Sequence, residues 1–302
     1  MTRLRRSVSL GLLAAFLGGT LSVQGAPSLV TPGASFQPIV GEYQFTEGGA
    51  VDTEGNVYFS DIPQSRVYRW RSSDGSVQLF SAQLNRPNGL SFSPRGDLVV
   101  CESGARRIVT VTTNGTIQDS ASVLEGLRFN SPNDLWIDPY GGVYFTDPRY
   151  GQHRADMQFD GEFVFYFRPG NSKAIIVDGE LTRPNGIMGS PDGKTLYVAD
   201  PGANKTYAYQ ITKNGSLSKR RLLIEKGSDG MTVDVQGNLY LTADDSVWIY
   251  DATGALLERL TLPDGDRPTN VCFGGADRTT LFVTARKVAY TLPMQIAGAA
   301  VN

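Results

Sequence analysis

The stretch RFNSPNDLWIDPYGGVYFTD, residues 128–147, decides the fold. A small polar residue, Asn133, opens it, and a short apolar run follows. A polar turn carrying Gly141 and Gly142 reverses the chain into a second, β-branched and aromatic run that ends at Asp147. The same pattern begins at Glu47 (EGGAVDTEGNVYFSD), Asn88 (NGLSFSPRGDLVVCE), Asn185 (NGIMGSPDGKTLYVAD), Asp229 (DGMTVDVQGNLYLTA) and Asn270 (NVCFGGADRTTLFVTA), so there are six copies. Their first residues stand 41, 45, 52, 44 and 41 residues apart, the spacing of four-stranded propeller blades. Helical repeats of this length would space apolar residues three or four apart. These segments instead alternate, or run as short β-rich bursts between Gly, Pro, Asn and Asp. The sequence therefore predicts an all-β, six-bladed β-propeller with four-stranded blades.

Counting strands predicts how the ring closes. The first blade has candidate strands at 49–52, 56–60, 66–70 and 77–81, whereas the last has only three, at 270–273, 280–284 and 287–292. Residues 38–45 are left to supply the missing strand, and closure of this kind removes exposed sheet edges. Residues 26–37 read as an extended lead-in.

Length and composition fit one large closed β unit: 302 residues, 34 glycines and 16 prolines, with no charge run or low-complexity linker. Arg3, Arg5 and Arg6 precede a mostly apolar run over 8–23 and small or aliphatic residues at 23–25, the pattern of a signal peptide cleaved after Gly25. This gives a signal peptide at 1–25, a single domain at 26–302, and an exported protein, periplasmic or secreted. An uncleaved anchor is disfavoured by the short run and its interruption by Gly11, Gly18 and Gly19. Cleavage leaves 25 basic residues against 30 acidic, so neither nucleic acid nor a membrane surface is an expected partner. Cys101 and Cys272 fall in blades two and six, at different depths, and read as two buried thiols rather than a bridge.

If each repeat begins the innermost strand of its blade, the six opening residues ring one mouth of the central channel. Glu47, Asn88, Asn133, Asn185, Asp229 and Asn270 then form a wreath of oxygen donors without sulfur or imidazole. Such a set selects a hard dication, calcium first, with magnesium, manganese or zinc as alternatives. For a single Asn-Gly or Asp-Gly pair, turn chemistry is the better account. Six in register, one of them opening on Glu, favour a site.

These residues resemble the gluconolactonase, regucalcin and senescence-marker-protein group of six-bladed propeller hydrolases, over about residues 45–291. The resemblance is carried by TEGGAVDTEGNVYFSDIPQSRVYRW, FNSPNDLWIDPYGGVYFTDPRYG, RPNGI, SDGMTVD and PTNVCFGG. It implies one divalent cation held by Glu47, Asn185 and Asp229, with Asn133 against the metal or its water. Substrate contacts are implied for Arg128, Asn133 and Asn88, although two extra residues before Asn133 shift the arginine's register. The expected function is metal-dependent opening of a sugar lactone, gluconolactone-like, to the aldonic acid, with Asp229 as general base. The alternative is a non-catalytic exported propeller that binds a small ligand or protein. Asp134, Asp147 and Asn270 are further rim candidates. Residues 149–162, in the longest interval, could cover the mouth, and His153 within them reads as a bystander. If the arginine-flanked run is a signal, amino-terminal sequencing from the native host should find a mature chain starting near Ala26. A product retaining Met1 or Thr2 would exclude export.

Overall fold

The computed structural model describes residues 20–22, 28–150 and 154–300, without the side chains of residues 20–22, Val123, Asn171 and Ser172. Six sheets of four antiparallel strands follow one another around a ring. Blade one is Thr46–Val51, Val57–Asp61, Arg66–Trp70 and Val77–Ser81. Blade two is Pro87–Phe92, Leu98–Glu102, Arg107–Val111 and Ile117–Ala121. Blade three is Leu135–Ile137, Val143–Asp147, Phe163–Arg168 and Asn171–Asp178. Blade four is Ile187–Gly189, Thr195–Asp200, Lys205–Ile211 and Leu217–Ile224. Blade five is Met231–Val233, Leu239–Ala243, Ser246–Tyr250 and Leu256–Thr261. Blade six has Asn270–Gly274, Thr280–Ala285 and Val288–Pro293, completed by Gln37–Ile39 from the other end of the chain.

Local chemistry sets each inner hairpin. In blades one, three and five an aspartate opens the turn, and one of its carboxylate oxygens accepts two backbone N–H groups. Asp52 binds Glu54 and Asn56, Asp138 binds Tyr140 and Gly142, and Asp234 binds Gln236 and Asn238. Gly55 shows what the turn demands, since its φ is 81° and an added Cβ would lie 2.2 Å from the Gly275 carbonyl oxygen of the neighbouring blade. Between blades lie six apolar clusters, one for each neighbouring pair. Phe59 and Trp70 of blade one meet Phe282 of blade six with ring centroids 5.5 and 5.7 Å apart. Cys101 and Cys272 are buried in two different clusters, and both are free thiols.

The ring closes from the amino-terminal side, but through an earlier strand than the one expected at 38–45. Gln37, Pro38 and Ile39 pair with Thr291, Tyr290 and Ala289. Residues 43–45 instead lead into blade one: Tyr43 packs on Phe59, while the Gln44 and Phe45 N–H groups donate to Asp61. The lead-in is also not a free arm from residue 28 onward. Val30 is buried and bridges to Met294, Phe36 meets Tyr290 edge to face at 5.8 Å, and the Ser28 hydroxyl and Leu29 N–H donate to Glu258. Apolar Leu29, Val30, Ala34 and Phe36 gain more from covering blades five and six than from solvent. Within the segment assigned to the signal peptide, Thr20–Ser22 pairs with Leu256–Thr261 as a fifth strand, and the rest of residues 1–25 lies outside the described residues.

The carboxy-terminal residues run across the far end of the channel. The Ala299 N–H donates to the Val233 carbonyl, the Val235 N–H to that of Ala297 and the Gly298 N–H to that of Arg278, while Ala299 lines the channel itself. Deleting residues 1–27 should leave the thermal transition within about 3 °C. Deleting residues 1–40 removes the closing strand, the buried Val30 and the partly buried Phe36, and should lower it by roughly 10 °C or more. Calorimetry of the two truncations checks this, and equal midpoints would place closure elsewhere.

Candidate active site at the channel mouth

In blades one to four, two or three residues before the opening residue, the chain is pinned by the acid that ends the second strand of the same blade. Asp61 accepts N–H bonds from Gln44 and Phe45, Glu102 from Asn85, Asp147 from Asn130 and Ser131, and Asp200 from Thr182 and Arg183. These brackets aim Glu47, Asn88, Asn133 and Asn185 at the mouth. The glycines that follow have a different task from turn formation. A Cβ on Gly89 would lie 2.6 Å from the Asn133 carbonyl oxygen, and one on Gly230 would lie 2.4 Å from the Asn270 side chain. The inner strands pack too closely around the channel for any side chain there.

At the mouth, Asn185 fixes the arrangement. Its amide nitrogen donates to Asp229 Oδ1 at 2.6 Å and to the Tyr150 hydroxyl oxygen at 2.7 Å, which leaves its Oδ1 as the free acceptor. Asn270 differs in that its oxygen is occupied. Its Oδ1 accepts the Val271 N–H at 2.8 Å, while its amide nitrogen donates to Glu47 and Asp134. It ties two carboxylates together and is not itself a free oxygen donor. The side-chain amides of Asn88 and Asn133 make no hydrogen bond among the described residues.

The charges at the mouth are not balanced. Burial pushes the Glu47 carboxyl well above its usual range, and the charges of Asp229 and Asp134 raise it further. Burial lifts Asp134 to about 7 against hydrogen bonds from Leu135, Ile187 and Asn270. Asp229 is lifted to about 6 by burial, with Asn185 and the charge of Arg286 pulling the other way. Tyr150 is 43% exposed as a residue, yet its hydroxyl is turned in to Asn185, and burial raises its pKa. Three neighbouring carboxylates in a desolvated mouth are stable only if protonated or met by a cation. Among the described residues no group of three or more His, Cys, Asp or Glu is placed to hold a metal by such side chains alone. A cation here would take Glu47, Asp229 and amide oxygens, a hard mixed-oxygen set.

The structure thus brings together Glu47, Asn185 and Asp229, with Asp134 and Asn270 beside them. Two other candidates are held by other partners. Asp147 is wholly buried in its bracket, where burial raises it to about 7, and does not face the mouth. Arg128 is exposed on a hairpin at 123–128, where its guanidinium donates to the Ala105 carbonyl at 2.9 Å. His153 lies outside the described residues. On either side of residues 151–153 the chain is strapped down: Arg149 binds Asp156 at 2.6 Å and the Asn130 carbonyl at 3.0 Å, and Arg154 binds the buried Glu162 at 2.6 Å. Tyr150, from this segment, is the site residue that the repeat pattern could not supply, since it has no counterpart in the other copies. Its only signal was its position in the longest interval.

The family model described as the SMP-30/gluconolactonase/LRE-like region matches residues 45–287. The chain belongs to this family. The gluconolactonase of Zymomonas mobilis is 33% identical over 282 residues, spanning 82% of this chain and 78% of its own length. The solved gluconolactonase of Xanthomonas campestris superposes with a TM-score of 0.80 at 28% identity, covering 92% of this chain and 98% of that one. A calcium-binding regucalcin from Agrobacterium tumefaciens shares the fold, with a TM-score of 0.73 at 18% identity over 87% and 95% of the two chains. At the level of the family, these relatives support a lactone hydrolase acting on a small-molecule lactone.

The raised carboxyls predict a pH dependence. In chelator, Asp229 and Asp134 favour the folded state fully below about pH 4, and that contribution is lost as the pH rises through about 6 and 7. Moving Asp229 from 3.8 to about 6 corresponds to about 3 kcal/mol. The metal-free transition should therefore fall by several degrees between pH 4 and 7, and Asp229→Asn should lose part of this slope. Thermal scans across that range check it, and identical slopes for the two proteins would show that Asp229 is not strained.

Proposed function

We propose that this protein is a divalent-cation-dependent lactonase that opens a sugar lactone, gluconolactone-like, to its aldonic acid. The observation that carries the reading is the pair of buried, uncompensated carboxylates, Glu47 and Asp229, at the channel mouth, with Asn185 held so that its oxygen is free beside them. Glu47, Asp229 and Asn185 would hold the cation, with Asn133 nearby. Two carboxylates match its charge, and the neutral amides add donors without excess charge. Calcium is the first choice, as in the regucalcin that shares this fold. When bound, the ion supplies Lewis acidity at the lactone carbonyl.

The chain's own residues supply the rest. Asp229, with a pKa near 6 before a cation binds, takes the proton of the attacking water. The water oxygen bonds to the carbonyl carbon, the ring C–O bond breaks, and the ring oxygen leaves as a hydroxyl after taking the proton held by Asp229. The Tyr150 hydroxyl accepts from Asn185 and so keeps its own hydrogen for a substrate oxygen. The open amides of Asn88 and Asn133 suit a polyhydroxylated ring. Export to the periplasm or medium is part of the same proposal, supported by the basic and apolar amino terminus.

Because each turnover releases an acid, the purified protein should acidify weakly buffered gluconolactone faster than the spontaneous reaction. It should stop on chelation and recover with calcium, magnesium or manganese. Asp229→Asn should lose at least about 100-fold in kcat at saturating metal, the usual worth of a general base. Full turnover in chelator would refute the metal mechanism. Metal binding without turnover across a panel of lactones would return the protein to a ligand-binding role.

A further inference from the structure

Beside Asp229 the mouth widens into a cavity of about 360 Å³, reached between blades five and six and lined by Tyr150, Asn204, Lys226, Asp229, Arg267 and Arg286 among others. Its cations are not equally engaged. Lys226 pairs with Asp244 at 3.1 Å and lies over the Trp248 ring at 4.2 Å. Arg267 is exposed and, among the described residues, its guanidinium reaches only the backbone carbonyl of Asp244, at 3.4 Å. The Arg286 guanidinium has no hydrogen bond and no ion pair among the described residues, although its charge is felt at Asp229. Its backbone is firmly placed: φ is 58°, and its carbonyl accepts the Thr46 N–H next to Glu47.

We infer that Arg286, with Arg267, forms a subsite for an anionic substituent of the substrate, a carboxylate, phosphate or sulfonate carried away from the lactone carbonyl. This rests on the proposed lactonase reading and deepens it: the preferred substrates are lactones of sugar acids or of acid-substituted sugars. The charge balance favours it. Lys226 pairs with Asp244, and a dication would neutralise Glu47 and Asp229, which leaves two guanidiniums at the cavity with no ion-pair partner among the described residues. Arginine's planar fork suits carboxylate, phosphate or sulfonate oxygens, and such an anion would not compete for the mouth where the carbonyl sits. The direction is also consistent, since Tyr150 lines this cavity while its hydroxyl reaches Asn185 at the mouth.

The test compares glucono-1,4-lactone with glucaro-1,4-lactone, which share one ring and differ in having a hydroxymethyl or a carboxylate at C6. The quantity read is the ratio of kcat/KM, charged over neutral. Arg286→Gln should lower this ratio by roughly 10-fold or more, Arg286→Lys by less, and Arg267→Gln by a few-fold. Raising the salt from about 50 to about 500 mM should lower the ratio in the wild type and much less in Arg286→Gln. If both lactones lose equally, Arg286 serves the carboxylate that hydrolysis creates, or only the electrostatics of Asp229, and the subsite is overturned. Calorimetry with glucarate and gluconate reads the subsite without turnover. If neither lactone is hydrolysed but Arg286→Gln weakens glucarate far more than gluconate, the lactonase reading fails and the anion site stands. No difference between the two acids in either protein overturns the site.

Discussion

The structure depends on a carboxylate that bonds backward onto the chain entering its own blade. In blades one to four the last residue of the second strand is Asp61, Glu102, Asp147 or Asp200, buried in every case, and each binds backbone N–H groups two or three residues before the mouth. A hydrogen bond to a charged acceptor is worth about 1.5–3 kcal/mol net, and an unpaired buried carboxylate would be more costly than that. The bracket therefore leaves the entering loop one conformation. The opening residue of each of these blades is placed to within one step of a rigid strand, which is the precision a cation or substrate site needs. Links between blades carry this placement around the ring: the Ser60 hydroxyl donates to the Asn88 carbonyl and the Gly89 N–H to that of Asn133.

That rigidity permits the frustration at the mouth. Asp229 raises the proton affinity of Glu47 and Asp134, and Asp134 raises that of Glu47, and a looser fold would let them swing into solvent. Here Asn270 is spent on two of them and Asn185 on the third, while Tyr150 holds Asn185 from outside the ring. The six interblade clusters supply the stability that absorbs this local cost. The polarised mouth is thereby preorganised for charge that arrives from outside.

Much of this was legible in the sequence because it repeats. Alternating and β-rich segments at near-constant spacing identified six blades, and the missing last strand identified closure from the amino terminus. The register of closure was not legible. Pro38, which can donate no backbone hydrogen bond, was read as a strand start, whereas it lies inside the outermost strand, where a proline is tolerated. The packing of residues 28–36 was missed for a similar reason, because isolated Leu29, Val30 and Phe36 carry no period. Glu47, Asn185 and Asp229 could be picked out by position alone. Which amide oxygen stays free could not: Asn185 and Asn270 occupy equivalent places and both turn the amide nitrogen to a carboxylate, but the Asn270 oxygen is taken up by the Val271 N–H.

The repeat also fails in an informative place. Where the first four blades end their second strand in an acid, blades five and six have Ala243 and Ala285. Hydroxyls take over part of the work: Ser228 Oγ donates to the Thr242 carbonyl, and Thr269 Oγ1 to that of Thr46. A hydroxyl holds the backbone with less charge and less bulk than a carboxylate, so the loops over these two blades need not close around it. This is the side on which the cavity opens beside Asp229, with Asp244 and Arg286 displaced one position outward from the alanines to its walls. A ring of six identical brackets would place every entering loop alike and leave the mouth symmetric. Loss of the acid at two adjacent blades breaks that symmetry, and so gives a channel of near-equivalent strands one direction from which a substrate can approach.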